Sequence, residues 1–261
     1  MYNPSFRTNR NSVPILSKKD IEAIGRNFIM DFCPDALVHP QAIDIEGFIE
    51  CYLKMKLDYQ YLSNDGRYLG MTVFNDTDKV IIYDPEKNQA DYFHADARTV
   101  IIDNTLLSES QEHRYRYTLG HEGGHDIFHS AYYYFDPNQI SMFDSIPGDR
   151  MPMVQCRLSS YSEAPSTRSR KIATDNDWME WQANYFSSVL LMPKDALVKL
   201  SQEQQPYKDK KVNEALLIFN ASETFNVSAE AAAYRCKELG LVSPDMTHRV
   251  AEVILDFDSI L

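Results

Sequence analysis

Residues His121 to His125 carry the pattern H-E-x-x-H, which places two imidazoles and one carboxylate close together in the chain. Side chains four residues apart lie on the same face of a helix, so His121 and His125 can approach a single metal ion. Glu122 would lie beside that ion, where its carboxylate can accept a proton from a bound water molecule. The motif therefore predicts a Zn²⁺ centre with Glu122 as the catalytic base.

The motif contains two glycines, Gly123 and Gly124. Each glycine destabilises a helix interior by about 1 kcal/mol relative to alanine. Glycine is useful, however, where another backbone or a substrate must approach a helix closely. The pair favours a functional site over two histidines spaced by coincidence, although the motif alone leaves that alternative open.

A catalytic zinc ion usually has three protein ligands and one position for water, so a third ligand is needed. His129 continues the four-residue spacing, but eight residues of helix rise about 12 Å, too far for three side chains of one straight helix to meet at one ion. We therefore expect His129 to contact a ligand or to pack, and not to bind the metal.

Glu180 is the other candidate for the third ligand, with Asn184 four residues further along the same predicted helix. This spacing lets the Glu180 carboxylate bind the metal while Asn184 accepts the remaining N–H of a ligand histidine and fixes its tautomer. An exposed glutamate on an amphipathic helix would show the same pattern. The H-E-x-x-H motif upstream favours the assignment of Glu180 as a metal ligand.

The two segments RYTLGHEGGHDIFH, at 116–129, and EWQANYFSSVLLMP, at 180–193, resemble the ImmA/IrrE family of metallopeptidases. That family shows R-F-T-L-A-H-E-L-G-H with a further histidine four residues on, then E-x-x-A-N/D-x-F-A and L-L-M-P. Every metal and base position of the pattern is intact here. The chain departs from the family at Tyr117, Gly120, Gly123 and Ser187, and the resemblance extends more weakly over residues 17–242.

The resemblance implies a gluzincin-like zinc endopeptidase that cleaves a helix-turn-helix transcriptional repressor and so controls gene expression. Its partner would be that protein substrate, and Zn²⁺ its cofactor. A neutral donor for the oxyanion of peptide hydrolysis is also expected, and the sequence leaves Tyr117, the run Tyr132 to Tyr134 and His94 open as candidates.

The elements that would position these residues define an α+β fold. Ser17 and Asp20 form a capping-box-like start of a helix that Pro34 ends, and a second helix is expected over Asp44 to Lys54. Short β-rich runs between residues 57 and 103 predict three or four strands of a small, mostly antiparallel sheet. Further helices are expected at about 110–130 for the zincin-like motif, at 177–193, at 211–225 and at 229–239.

This pattern divides the chain into several predicted regions. A flexible arm is expected at 1–16 and a zincin-like peptidase domain at 17–200, in which 135–177 is an insertion or lid. A C-terminal helical subdomain would span 201–242, followed by a tail at 243–261. The segment 135–177 is rich in Pro, Ser, Asp and Met and longer than an ordinary loop.

Composition excludes some classes of protein. The net charge of -12, with no run of Lys and Arg, makes direct binding of nucleic acid unexpected. The four cysteines are scattered and predict reduced thiols, and no uncharged apolar run is long enough for a membrane span. The cytoplasm is the default location for such a chain.

Two alternatives to a peptidase remain at this point. The helical pair at 211–240, with its turn at Asn226, Val227 and Ser228, resembles a helix-turn-helix and could make the chain a DNA-binding regulator. The second alternative is a zinc-binding partner protein without hydrolytic activity. The intact Glu122 argues against this second alternative.

Overall fold

The computed structural model describes residues 1–134, 153–157, 174–206 and 208–248, which form an α+β structure. The described helices are α1 (Lys18–Phe32), α2 (Asp35–Val38), α3 (Ile45–Gly47), α4 (Glu112–Tyr133), α5 (Asp175–Leu191), α6 (Lys194–Glu203), α7 (Lys210–Phe225) and α8 (Ala229–Glu238). The described strands are β1 (Lys56–Gln60), β2 (Tyr68–Val73), β3 (Thr77–Asp84), β4 (Gln89–Ala95), β5 (Thr99–Asp103) and β6 (Met153–Arg157).

Helix α1 begins where the sequence predicts. The side chain of Ser17 accepts a hydrogen bond from the backbone N–H of Asp20, and the Asp20 carboxylate accepts one from the Ser17 N–H at 2.8 Å. This reciprocal capping satisfies two backbone donors that the first turn of a helix leaves free. The helix ends at Phe32, shortly before Pro34. Its buried face consists of Ile21, Ile24, Gly25, Phe28 and Ile29.

The second predicted helix is present, but it changes its type along its length. Asp44 caps the single turn α3, and the chain then widens into a π-helical turn over Phe48–Tyr52, in which the Leu53 N–H donates to the Phe48 carbonyl at 2.8 Å. Lys54 has a positive φ of 59°, which ends the helical run. The predicted helix over Asp44 to Lys54 is therefore present from Ile45 to Tyr52, with Phe48, Ile49 and Leu53 buried, but its second half is π-helical and not α-helical.

The sheet has the strand order β1-β5-β2-β6, with β1 and β5 parallel and the other pairs antiparallel. Strands β3 and β4 form a separate antiparallel hairpin. The prediction of a small, mostly antiparallel sheet is confirmed. The sequence did not predict β4, because four of its seven residues in a row are exposed and give no apolar alternation.

Strand β6 lies within the segment 135–177, for which no regular structure was expected. Its backbone pairs with β2 from Val73↔Met153 to Tyr68↔Arg157. Part of this segment is thus built into the sheet. Residues 135–152 and 158–173 lie outside the described residues. The insertion or lid at 135–177 therefore stays a prediction.

Helices α4 and α5, which carry the predicted metal ligands, pack closely against each other at glycines. A Cβ atom at Gly124 would lie 3.1 Å from the Cα of Ala183, and one at Gly120 would lie 2.5 Å from the Oγ of Ser187. Both distances are shorter than ordinary van der Waals contact. These glycines therefore let the two helices approach as closely as a shared site needs.

The N-terminal segment packs on the rest of the protein, contrary to the expectation of a flexible arm at 1–16. Val13 is 2% exposed, and the Nδ2 atom of Asn9 donates to the Asp175 carboxylate at the start of α5 at 2.8 Å. The carbonyl of Pro14 accepts a hydrogen bond from Gln182 at 2.7 Å. The sequence gave no sign of this packing because the buried residues of the segment, Val13, Pro14 and Leu16, form no helical or strand periodicity.

The C-terminal helices α7 and α8 share the main hydrophobic core with α1 and α5, through residues such as Phe225 and Cys236. The division at residue 200 stays a prediction, since a shared core neither requires nor excludes it. Residues 249–261 of the expected tail lie outside the described part. Within the described part, no helix has the length and apolar character of a membrane span. Cys33, Cys51 and Cys236 are free thiols, as expected.

Candidate metal centre

Helix α4 places His121 and His125 one turn apart on the face that meets α5. Both side chains are fully buried, and their Nε2 atoms lie 3.0 Å from each other. The i, i+4 spacing of the motif therefore brings the two imidazoles together, as the sequence predicts.

Glu180 reaches the same point from α5. Its Oε2 atom lies 3.6 Å from His121 Nε2, and its Oε1 atom lies 3.5 Å from His125 Nε2. One ligand atom from each of the three residues lies within 4.8 Å of the other two. The Glu180 side chain is 18% exposed while both histidines are at 0%, so the centre meets solvent on the Glu180 side.

The chemistry of these three residues fits a divalent metal ion. Burial lowers the pKa of His121 to about 4 and that of His125 to about 3, so both imidazoles are neutral, as ligation requires. The Oε2 atom of Glu180 is buried and has no hydrogen-bond partner among the described residues. A cation would satisfy this oxygen, which otherwise loses its hydration without compensation.

Asn184 lies one turn after Glu180 and contacts the far side of the His121 ring. The Oδ1 atom of Asn184 lies 2.9 Å from His121 Nδ1. An amide oxygen only accepts hydrogen bonds, so Nδ1 carries the proton and Nε2 keeps its lone pair for a metal. The hydroxyl of Tyr117 donates to the Asn184 carbonyl at 3.1 Å.

His129 contacts the ring of His125 and not the point where the ligand atoms meet. The Nδ1 atoms of His129 and His125 lie 2.9 Å apart, and His129 Nε2 lies 2.9 Å from the Oε1 of Gln182. His129 thus lies behind His125, a candidate ligand, and away from the point where His121, His125 and Glu180 meet.

Glu122 is fully buried beside the three candidate ligand residues. The hydroxyl of Thr72 donates to its Oε2 at 2.6 Å, while its Oε1 has no hydrogen-bond partner among the described residues. Burial raises the pKa of Glu122 well above its ordinary value. Gly70 leaves the room for this side chain, because a Cβ there would lie 2.8 Å from Glu122 Oε1.

The candidates for an oxyanion donor lie in different surroundings. Tyr117 uses its hydroxyl on Asn184, and His94 is exposed on the β3–β4 hairpin, with its Nδ1 atom 2.6 Å from Asp78. Tyr133 is buried and stacks on Phe74. Burial raises the pKa of Tyr133, and the nearby charges of Glu180 and Glu122 raise it further, so its hydroxyl stays protonated.

Three residues around the centre were not found from the sequence: Thr72, Gly70 and Gln182. Thr72 and Gly70 come from a strand distant in the chain, so no local spacing connects them to the motif. Gln182 lies two residues after Glu180 and was hidden by the general expectation that glutamine is exposed. Its complete burial in a helix beside a predicted ligand is visible only in the structure.

The sequence model of the IrrE N-terminal-like domain, a peptidase family, matches residues 162–237. The match contains Glu180 and Asn184, whereas the H-E-x-x-H helix precedes it. No curated protein shows significant similarity to the chain. The family match supports a metallopeptidase-type function, and it confirms the resemblance of this chain to the ImmA/IrrE metallopeptidases.

Proposed function

We propose that the protein is a zinc-dependent endopeptidase that hydrolyses a peptide bond in a helix-turn-helix transcriptional repressor. The observation that carries the peptidase proposal is the convergence of His121, His125 and Glu180 beside the buried carboxylate of Glu122. Two imidazole nitrogens and one carboxylate oxygen form a ligand set that catalytic zinc uses in peptidases, with a position left for water.

Zinc bound at this point would lower the pKa of a water molecule and polarise the carbonyl of the scissile bond. The residues of the chain supply the proton transfers. Because Thr72 occupies one oxygen of Glu122, the other oxygen, Oε1, is the one free to accept a proton. A carboxylate with a raised pKa is a stronger base, and it can later give its proton to the leaving amine.

The proposed substrate rests on the resemblance to the ImmA/IrrE family and on the match at residues 162–237. A repressor as substrate would make the protein a regulator of transcription without direct contact to DNA. The alternative of a DNA-binding regulator is weakened by the burial of Arg235 on α8, which is 1% exposed and paired with Glu22 at 2.6 Å. This guanidinium is not available to a phosphate or a base.

The zinc content of the purified protein tests the first part of the proposal. We expect about one zinc per chain, lost when His121 and His125 are both replaced by alanine, because one ligand of three cannot hold the ion. The matched control replaces the exposed His94 and His113, which should leave the zinc content unchanged. Stoichiometric zinc in the His121/His125 variant would contradict the assignment.

The second test uses Glu122→Gln, which keeps the shape of the side chain but cannot accept the proton. This variant should retain zinc. It should not cleave the repressor encoded next to the gene of this protein, which mass spectrometry of the products would show. Cleavage at the wild-type rate would exclude Glu122 as the base. If the wild-type protein binds zinc but cleaves no repressor, the alternative is favoured in which this chain is a zinc-binding partner protein without hydrolytic activity.

A further inference from the structure

The ring of His125 is connected to the N-terminal segment by a chain of hydrogen bonds through His129 and Gln182. We propose that Gln182 and His129 are positioning residues that hold His125 in its Nδ1–H tautomer, and that the carbonyl of Pro14 is the fixed end of this chain. The inference deepens the proposed function, because it rests on the role of His125 as a metal ligand.

The carbonyl oxygen of Pro14 sets the donor-to-acceptor direction of every hydrogen bond between Pro14 and His125. A backbone carbonyl only accepts hydrogen bonds, so the group of Gln182 that lies 2.7 Å from it must be the NH₂ group. The other end of the same amide, Oε1, is then fixed as an acceptor that faces His129 at 2.9 Å. The orientation of the Gln182 amide therefore follows from chemistry alone.

The tautomer of His129 follows from the Gln182 amide. Because Oε1 only accepts, the Nε2 atom of His129 must carry a proton. The ring is fully buried and both of its nitrogens contact neutral groups, so it holds one proton and not two. The Nδ1 atom of His129 is therefore a lone-pair acceptor.

The tautomer of His125 follows in turn. Its Nδ1 atom lies 2.9 Å from the acceptor Nδ1 of His129, so it must donate, and its Nε2 atom keeps a lone pair. Asn184 fixes the same tautomer in His121. Two lone pairs then face each other across 3.0 Å, with the Glu180 carboxylate beside them. Such an arrangement is repulsive until a cation lies between the three groups.

The N-terminal segment is held firmly enough to serve as the fixed end of this series of hydrogen bonds. Val13, next to Pro14, is buried in a cluster with Phe74, Tyr133 and Met179. Gln182, His129 and His125 are all at 0% exposure, so water does not compete for their hydrogen bonds. A segment that is far from the motif in sequence is thus part of the metal centre.

A measurement on the metal-free, full-length wild-type protein tests the chain of hydrogen bonds directly. Long-range ¹H–¹⁵N correlation spectra of protein with ¹⁵N-labelled histidine identify which ring nitrogen carries the proton. We expect Nδ1–H for His125 and for His121, and Nε2–H for His129. A spectrum in which His125 carries its proton on Nε2 would overturn the inference.

The affinity for zinc, measured by competition with a chelator, tests the role of Gln182. Gln182→Leu removes both hydrogen bonds of the amide and should raise the Kd for zinc by about 10-fold to 100-fold, as is usual when the contact behind a ligand histidine is lost. The matched control is Gln204→Leu, since Gln204 also bridges a backbone carbonyl, of Asn213, and a side chain, of Asn220. An equal Kd in both variants would refute the proposed role.

His129 provides a rescue experiment that separates positioning from packing. His129→Leu fills the space without an acceptor, whereas His129→Asn offers an amide oxygen near the place of the lost Nδ1 atom. We expect His129→Asn to bind zinc about 10-fold more tightly than His129→Leu at similar Tm. Equal Kd values for the two variants would show that His129 only packs.

These outcomes are distinguishable from a failure of the proposed function. If the wild-type protein shows Nδ1–H on His125 but binds no zinc, the chain of hydrogen bonds stands and the zinc assignment falls. If it binds zinc and cleaves its substrate while His125 carries Nε2–H in the metal-free state, the peptidase proposal stands and this inference falls.

Discussion

Histidine lies in two contrasting settings in this protein, the buried face of α4 and the exposed β3–β4 hairpin. On α4, burial lowers the pKa of His121, His125 and His129. On the hairpin, the contacts of His94 with Asp78, at 2.6 Å, and Asp96, at 3.3 Å, raise its pKa instead. The same side chain is therefore neutral in one region and easily charged in the other.

The comparison shows that a carboxylate neighbour alone does not decide the charge of an imidazole. Glu180 lies within 3.6 Å of His121, yet the loss of hydration outweighs its attraction. A metal ligand must be a neutral imidazole, whereas an ion pair needs a charged one. The buried histidines therefore suit a metal ion, and His94 suits a surface ion pair.

The largest expected effect concerns the close packing that buries the α4 histidines. Gly120→Ala would bring a Cβ to 2.5 Å from the Oγ of Ser187, whose hydroxyl donates to the Tyr117 carbonyl at 2.8 Å. We expect this change to lower the free energy of unfolding by about 2 kcal/mol, despite the better helix propensity of alanine. Urea denaturation of the variant measures the loss.

Ser187→Ala in the same chain should restore most of that stability, because the related family carries alanine at both positions. We expect a coupling free energy of about 1 to 3 kcal/mol in the double-mutant cycle. Gly123→Ala is the control, since the closest contact of its Cβ would be the flexible end of the Ile49 side chain, at 2.7 Å. Additive effects of the Gly120 and Ser187 changes would show that the two residues do not constrain each other.

Sequence alone went far for the α4 region and not far for the hairpin. The i, i+4 rule predicts that His121 and His125 share a helix face. The rise of about 12 Å over eight residues explains why His129 does not reach the point where His121, His125 and Glu180 meet. Sequence could not rank His94 against Tyr133 as an oxyanion donor, because the exposure of His94 on β4 and the burial of Tyr133 at the end of α4 follow from tertiary packing. It also could not find Thr72 or Pro14, whose contacts join segments far apart in the chain.

The next effect concerns the pH dependence of stability in the metal-free protein. In the folded state the pKa of His121 is about 4 and that of His125 about 3, below the ordinary value of about 6.5, so falling pH favours the unfolded state. The raised pKa of Glu122 acts in the opposite direction, because the folded state then binds a proton that the unfolded state does not.

Glu122→Gln removes the opposing contribution. Between about pH 7 and about pH 5, the metal-free variant should lose stability more steeply than the wild-type protein, by up to about 1.4 kcal/mol per pH unit. Chemical denaturation in the presence of a chelator gives both slopes. A variant with the same slope as the wild-type protein would mean that Glu122 is ionised in the folded, metal-free state.

A smaller effect is expected at Thr72, whose hydroxyl lowers the pKa of Glu122 by its hydrogen bond. Thr72→Val should move the acidic limb of the kcat/KM profile to higher pH and reduce the maximal rate by about 10-fold, through loss of one buried hydrogen bond to a charged group. The control is Thr77→Val on the β3–β4 hairpin. Among the described residues, the Thr77 hydroxyl accepts a hydrogen bond from the Lys79 N–H and contacts no carboxylate. An unchanged pH profile for Thr72→Val would exclude a role for this hydroxyl in setting the pKa of Glu122.

The smallest effect is expected at the other end of the comparison, for His94→Ala. A raised pKa in the folded state stabilises the protein below the ordinary pKa of about 6.5, and this contribution is lost as pH rises through the folded value. Because His94 is exposed and its ion pairs are screened by solvent, the change in Tm should be slight at about pH 6 and absent at about pH 9. Zinc content and repressor cleavage should equal those of the wild-type protein. A loss of cleavage with zinc retained would bring His94 back as the oxyanion donor and would remove the functional distinction between the two regions.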